Sequence, residues 1–132
     1  METDLQLILN VLSAICETDS IGKKKAIILA NRTDVVLSTV IMYIAQQDSF
    51  GVTLKSIEKP PYHIIEPKQC ESLMNLLYSF RNHGNEDNVL EAYYFVRRKP
   101  KEERTEWKKI ICRDYNIGLD SKTVSKLIIS GE

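Results

Sequence analysis

Residues 107–127 read WKKIICRDYNIGLDSKTVSKL, and the spacing of their apolar residues leaves few folding options. Trp107, Ile110 and Ile111, then Val124, Leu127 and Ile128, recur at i, i+3, i+4 intervals. That interval places one buried stripe on each of two helices and does not suit the period-two alternation of a strand. Gly118 interrupts the pattern, and Asp120 or Ser121 opens the second helix. Backbone N–H groups at such a start have no intrahelical partner. Ser121, Lys122 and Thr123 add polar side chains there, and Gly118 allows close backbone approach. A helix start of this kind can seat a phosphate. The spacing does not say which anion sits there, or whether any does.

The rest of the chain follows the same rule. Leu5, Ile8, Leu9, Leu12 and Ile15 form a stripe on a first helix capped by Thr3 or Asp4 and ending near Thr18. Ser20 caps a second, IGKKKAIILAN, with Lys23, Lys24 and Lys25 in its opening turns and Asn31 at its close. Cations at a helix N-terminus oppose the dipole, which hints at an anionic partner, although a solvated lysine face explains them too. Thr33 or Asp34 opens a third helix, DVVLSTVIMYIA, apolar on most sides and therefore central. Residues 46–67 are irregular, with turns at Gly51 and Pro60-Pro61 and room for one short helical turn. Phe50, Val52, Ile57 and Tyr62 pack this segment down. A helix over residues 67–81 turns Leu73, Leu76, Leu77 and Phe80 inward. After Gly84, Asn85 caps another with Val89, Leu90, Tyr93 and Val96 inward, and Pro100 starts the next. The fold class expected is all-α: one domain over residues 1–132, a compact bundle of six or seven short helices built from helix–turn–helix pairs.

Charge and chemistry narrow the function. Lys+Arg and Asp+Glu both number 18, so no global basic excess advertises nucleic acid, and any such role must rest on local placement. No signal-peptide pattern or membrane-length apolar run occurs. The three cysteines are widely spaced, with Cys16 and Cys112 beside apolar helical positions where packing is their expected role. An intracellular, cytoplasmic protein is expected. The two histidines, His63 and His83, have no partner spacing for metal or catalysis, and no CxxC, HExxH or GxxxxGK[ST] motif is present. No catalytic residue, metal ligand or cofactor site is expected.

Three stretches together resemble one family. They are LILNVLSAICETDSIGKKKAIILANRTDVVLSTVIMYI (residues 7–44), HGNEDNVLEAYYF (83–95) and IICRDYNIGLDSKTVSKLI (110–128). In this order they are similar to the N-terminal α-helical DNA-binding domain of ATP-dependent DNA ligases of the bacteriophage T4 type. The first matches a helix, a Ser/Lys-rich turn and a helix ending in Asn. The second matches a Thr-Gly-Asn helix start, and the third an Arg-Asp-(x)3-Gly pattern followed by Leu, a small polar cap and an apolar helix. The resemblance implies a domain that grips double-stranded DNA, nicked or intact, on its minor-groove side through phosphates. It implies DNA-backbone contacts at His83, Gly84 and Asn85, and at Gly118, Leu119, Ser121, Lys122 and Thr123, with Lys23, Lys24 and Lys25 as further candidates. Arg113 and Asp114 match the pattern but are expected to order the turn. The implied setting is nick sealing in replication and repair, in the host cytoplasm if the chain is phage-encoded.

The chain also departs from the family. The Lys-x-Asp-Gly motif that carries AMP in the nucleotidyltransferase domain is missing, and neither that domain nor the OB domain is present. The sequence ends where the linker to the catalytic domain would begin, as in an excised domain or a short protein keeping only the clamp. A ligase catalytic domain is the implied partner if the chain is part of a longer one. His83 replaces the usual Thr, and Asp120 sets a negative charge beside the proposed phosphate seat. The alternative is a helical protein-interaction module with no nucleic-acid role.

Overall fold

Short polar side chains fix where most of the helices begin. In a computed structural model describing residues 3–46, 50–59, 72–80 and 84–131, eight α-helices and one 3-10 turn follow one another. They are α1 (Thr3–Glu17), α2 (Ile21–Ala30), α3 (Val35–Ala45), α4 (Leu54–Glu58), α5 (Leu73–Ser79) and α6 (Asn85–Arg97). The 3-10 turn Lys101–Glu103, α7 (Arg104–Ile111) and α8 (Ser121–Ser130) complete the order. Ser20, Asp34, Thr53, Ser72 and Asp120 each accept a hydrogen bond from the N–H three residues on, satisfying a donor the helix cannot. Thr53 and Ser56 do so reciprocally. The described chain contains no strand, and the fold is all-α. The side chains of Thr3 and Asp4 lie outside the described residues, as do Pro60, Pro61, Tyr62, His63, Pro67, Cys70, Arg81 and His83.

The chain divides into two compact units, Met1–Gln47 with Tyr115–Glu132, and Asp48–Asp114. In the first, α1 packs on α2 and α3, and α8 packs on α2 and α3. Its buried residues include Leu5, Ile8, Leu12, Ile15, Ile28, Val40, Ile41, Val124 and Leu127, the stripes their spacing predicts. In the second, α4, α5 and α7 each pack on α6, burying Val52, Ile57, Leu76, Phe80, Phe95, Trp107, Ile110 and Ile111.

Several expectations shift. The two helices of residues 107–127 belong to different units, α7 packing on α6 in one and α8 on α2 and α3 in the other. Gly84, not Asn85, is the N-cap of α6, and Pro100 precedes a 3-10 turn instead of opening α7. Val35, at the exposed start of α3, and Tyr93, half-buried, are not core residues.

Cations close helix ends across the sequence. The Lys24 ammonium donates to the Ile15 carbonyl at 2.7 Å, near the end of α1. Arg32 donates to the carbonyls of Leu127, Ile128 and Ile129 at 3.3, 3.1 and 3.1 Å, at the end of α8. Arg104 donates to those of Arg97 and Lys99, both at 3.0 Å, after α6. Each lies at the negative end of a helix dipole, where final-turn carbonyls run short of intrahelical donors, although the Leu127 carbonyl also accepts from the Gly131 N–H. Lys99 sits over the rings of Phe95 and Trp107, at 4.6 and 4.5 Å, while Trp107 Nε1 donates to Glu103 Oε1. Four of the 18 lysines and arginines are thus engaged within the fold.

Cys16 and Cys112 are only partly buried, not the core residues their neighbours suggest; Cys112 is the C-cap of α7. Burial, reinforced by Asp114 and opposed by Lys108, still pushes the Cys112 thiol up to about 11. At pH 8 only about one thiol in a thousand is then thiolate. Alkylation of Cys112 by iodoacetamide, followed by peptide mass mapping, is expected to run roughly a hundredfold slower than for an ordinary thiol. Its rate should keep climbing past pH 10. A plateau near pH 9 would contradict this environment.

Candidate nucleic-acid interface

In the first unit, the opening turns of α2 lie against the turn that precedes α8. The contact is between Lys24 and Gly118. Gly118 has φ +79°, and a Cβ there would stand 3.1 Å from Lys24 Cε and 3.2 Å from Nζ. The glycine therefore serves two needs at once, a left-handed backbone and room for a lysine stem. Lys24 itself is only 7% exposed, with its ammonium on Ile15. Its ammonium is thus turned to a helix-end carbonyl and away from solvent. Lys23 is exposed and Lys25 half-buried on either side of it.

At the start of α8, Asp120 Oδ1 accepts from the Thr123 N–H at 2.7 Å. Hydrogen bonds from the Thr123 side chain and N–H, with help from Lys122, hold the Asp120 carboxyl below its ordinary value. The carboxylate is thus charged at neutral pH and engages one donor of the proposed seat. Thr123 N–H is therefore not open to an outside anion. The N–H groups of Ser121 and Lys122, in the first turn, have no acceptor within the helix. The Lys122 side chain is exposed, Gly118 is exposed, and Leu119 and Ser121 are half-buried.

The second unit holds the other proposed helix start. Gly84 is the N-cap of α6 in an extended conformation (φ −72°, ψ 163°), with no side-chain cap. A Cβ on Gly84 would meet no described atom within 4 Å. Neither the backbone angle nor packing against the described residues requires glycine here, unlike Gly118. Asn85 is exposed beside it, and the exposed Glu86 and Asp87 carry negative charge into the first turn. His83 lies outside the described residues. The start of α6 is braced from below: buried Asn88 donates through Nδ2 to the carbonyls of Phe50 (3.0 Å) and Phe80 (3.1 Å). Gly51 lies against Asn85, so closely that a Cβ would come within 2.6 Å of the Asn85 Cβ.

Gly84→Ala separates internal need from a ligand's need. Its cost to stability is expected to be below about 1 kcal/mol by urea melt, since Ala is only a poorer N-cap than Gly. If a phosphate approaches this backbone, the same change should weaken duplex binding roughly tenfold, the worth of one charge-assisted contact. Unaltered affinity would remove Gly84 from the interface.

Sequence reasoning did not single out Arg32 and Asn88, which shape these helix ends. Arg32 meets carbonyls 95 to 97 residues away, and no local pattern signals such a partner. Among the described residues no three or more His, Cys, Asp or Glu side chains gather as a metal site, and no helix is long and apolar enough to cross a membrane. No protein-family model matches the chain, and no curated protein or solved structure does either.

Proposed function

We propose that this chain is a non-catalytic domain that binds duplex DNA without sequence preference, through phosphates on the minor-groove side. It resembles in this the N-terminal DNA-binding domain of phage-type ATP-dependent DNA ligases, and would serve nick sealing in replication and repair, in the cytoplasm of a cell or a phage-infected host. One observation carries the reading: α2, with Lys23 and Lys25 beside its buried Lys24, lies against the Gly118 turn and the start of α8, where Lys122 is exposed. Cations, a glycine and a helix start in one place are what sequence-independent backbone reading uses. Asp120 beside this start, Glu86 and Asp87 at the other, and a net charge of zero all lower affinity. Binding in the micromolar range or weaker is expected.

The test is fluorescence anisotropy of a labelled nicked duplex, with an intact duplex alongside, over a series of salt concentrations. Affinity should fall linearly on a log–log plot as salt rises. Lys122→Ala should weaken all duplex sequences alike and reduce the slope by about one. An effect confined to one sequence would contradict backbone reading.

A second reading, a helical protein-interaction module, draws on exposed apolar side chains in the first unit: Ile21, Val35 and Ile129, at 57%, 67% and 71%. The same titration separates the two, since no binding even at the lowest salt would favour the interaction module.

A further inference from the structure

The exposed face of α6 changes character along its length. Its first turn carries Glu86 and Asp87, and its end carries Arg97 and Arg98, as the helix dipole favours. The dipole does not account for what lies between. Tyr93 is half-buried and Tyr94 is 40% exposed, and their rings meet edge to face with centroids 5.2 Å apart. The Arg97 guanidinium lies 5.5 Å from the Tyr93 ring centre and donates to the Tyr93 hydroxyl at 3.1 Å. Tyr94 has the exposed Arg97 and Arg98 at i+3 and i+4, on its own side of the helix. Exposed Lys101 follows Pro100, and from Ala92 to Lys101 the sequence holds no acidic residue. Of the neighbouring acids, Glu91 is buried, Glu86 and Asp87 precede Tyr94 by about two turns, and Glu102 follows in the 3-10 turn.

The geometry points to a stacking platform: Tyr93 and Tyr94 take the unpaired bases of a single-stranded nucleic acid, and Arg97 and Arg98 meet its phosphates. Exposed rings alone would suit many apolar partners, and cations alone any anion. Rings and cations set side by side over one to two turns suit a strand, which offers a flat face and a negative charge at every unit. The bond from Arg97 to Tyr93 and the Tyr93–Tyr94 edge contact restrict these side chains before a base arrives, so less freedom is lost on binding. The platform lies in the Asp48–Asp114 unit and uses none of the residues assigned to duplex contact, so it stands independently of that reading.

The experiment measures the anisotropy of a labelled oligothymidylate of about 12 nucleotides, an abasic strand of the same length and charge, and an intact duplex. Each is titrated with the wild-type chain, Tyr94→Ala, Tyr94→Phe and Arg97→Ala, all first checked for helical content by circular dichroism. The wild-type chain should bind the oligothymidylate roughly tenfold more tightly than the abasic strand. Tyr94→Ala should lose about that factor, and Tyr94→Phe should keep most of the affinity. Arg97→Ala should reduce the single-strand salt slope by about 0.7. An abasic strand that binds as tightly as the oligothymidylate would leave only phosphate attraction and overturn the inference. Equal losses from Tyr94→Ala on single strand and duplex would do the same, because duplex bases are already stacked on one another. Displacement of the strand by polyglutamate at equal charge would make the face a general anion surface and also overturn it. No single-strand binding at low salt overturns it too, while leaving the duplex reading to its own titration. The abasic comparison uses the wild-type chain alone, so it decides even if a Tyr94 variant folds poorly.

Discussion

Gly51→Ala is expected to destabilise the Asp48–Asp114 unit by about 3 kcal/mol or more, enough to unfold much of it. Two costs add. Gly51 has φ +82°, a conformation that costs an L-residue roughly 1–2 kcal/mol. The new Cβ would also stand 2.6 Å from Asn85 Cβ, 2.9 Å from Cγ and 3.1 Å from Cα. A side-chain tip could swing away, but Asn85 Cα is fixed in the first turn of α6, so the helix itself must move. Overpacking of that kind costs roughly 1–3 kcal/mol. The shift would also strain the bonds from Asn88 to the Phe50 and Phe80 carbonyls, which tie the segments before α4 and after α5 to α6. Chemical denaturation followed by Trp107 fluorescence reads the loss directly, because Trp107 is buried in this unit. The contrast with Gly84→Ala is the control, since that Cβ meets nothing described. Equal costs at the two glycines would mean that close approach to Asn85 is not what Gly51 provides.

Arg32→Ala should cost about 2–3 kcal/mol and loosen α8 before anything else. The guanidinium spans three successive carbonyls at the end of that helix, beside Gly131, whose left-handed backbone closes it. Removing the side chain leaves the Ile128 and Ile129 carbonyls to water, while Leu127 keeps the Gly131 N–H, and takes a cation from the negative end of the dipole. Hydrogen exchange should show the α8 amides opening more readily than those of α1 and α3. Arg32→Lys should recover less than half of the loss, because a single ammonium cannot reproduce a planar fork across three carbonyls. A lysine variant as stable as wild type would show that charge alone matters at this position. Since α8 carries Ser121 and Lys122, loosening it should weaken DNA binding as well, if the proposed function holds.

The helices themselves were legible in the sequence, because the information that makes them is local. Ser20, Asp34 and Asp120 cap the donors three residues on, and Asn31 closes α2. Even the β-branched run of α3 is helical, as its length and cap indicate. The apolar stripes also told which residues are buried, from Ile8 and Leu12 to Ile110 and Leu127. The candidate site was less legible. The sequence could place Gly118 and Lys122 at a helix start but could not tell Lys24 from Lys23 and Lys25. Consecutive residues on a helix point about 100° apart, so one of the three faces inward, and only the packing of α2 on α1 and α8 chooses which.

Sequence alone thus determined an all-α chain, its helix starts and its apolar faces, because helix periodicity and capping act over three or four residues. It did not determine which helices pack together. Residues 107–127 look like one helix–turn–helix unit, yet α7 joins α6 in one unit while α8 joins α2 and α3 in the other. Nor did it determine what the cations do. Lys24, Arg32 and Arg104 resemble surface charges in a sequence of zero net charge, and the structure uses them to close helix ends. The physical reason is the same in both cases: an amphipathic stripe or an unpaired carbonyl specifies that it must be covered, and only the tertiary structure decides by what.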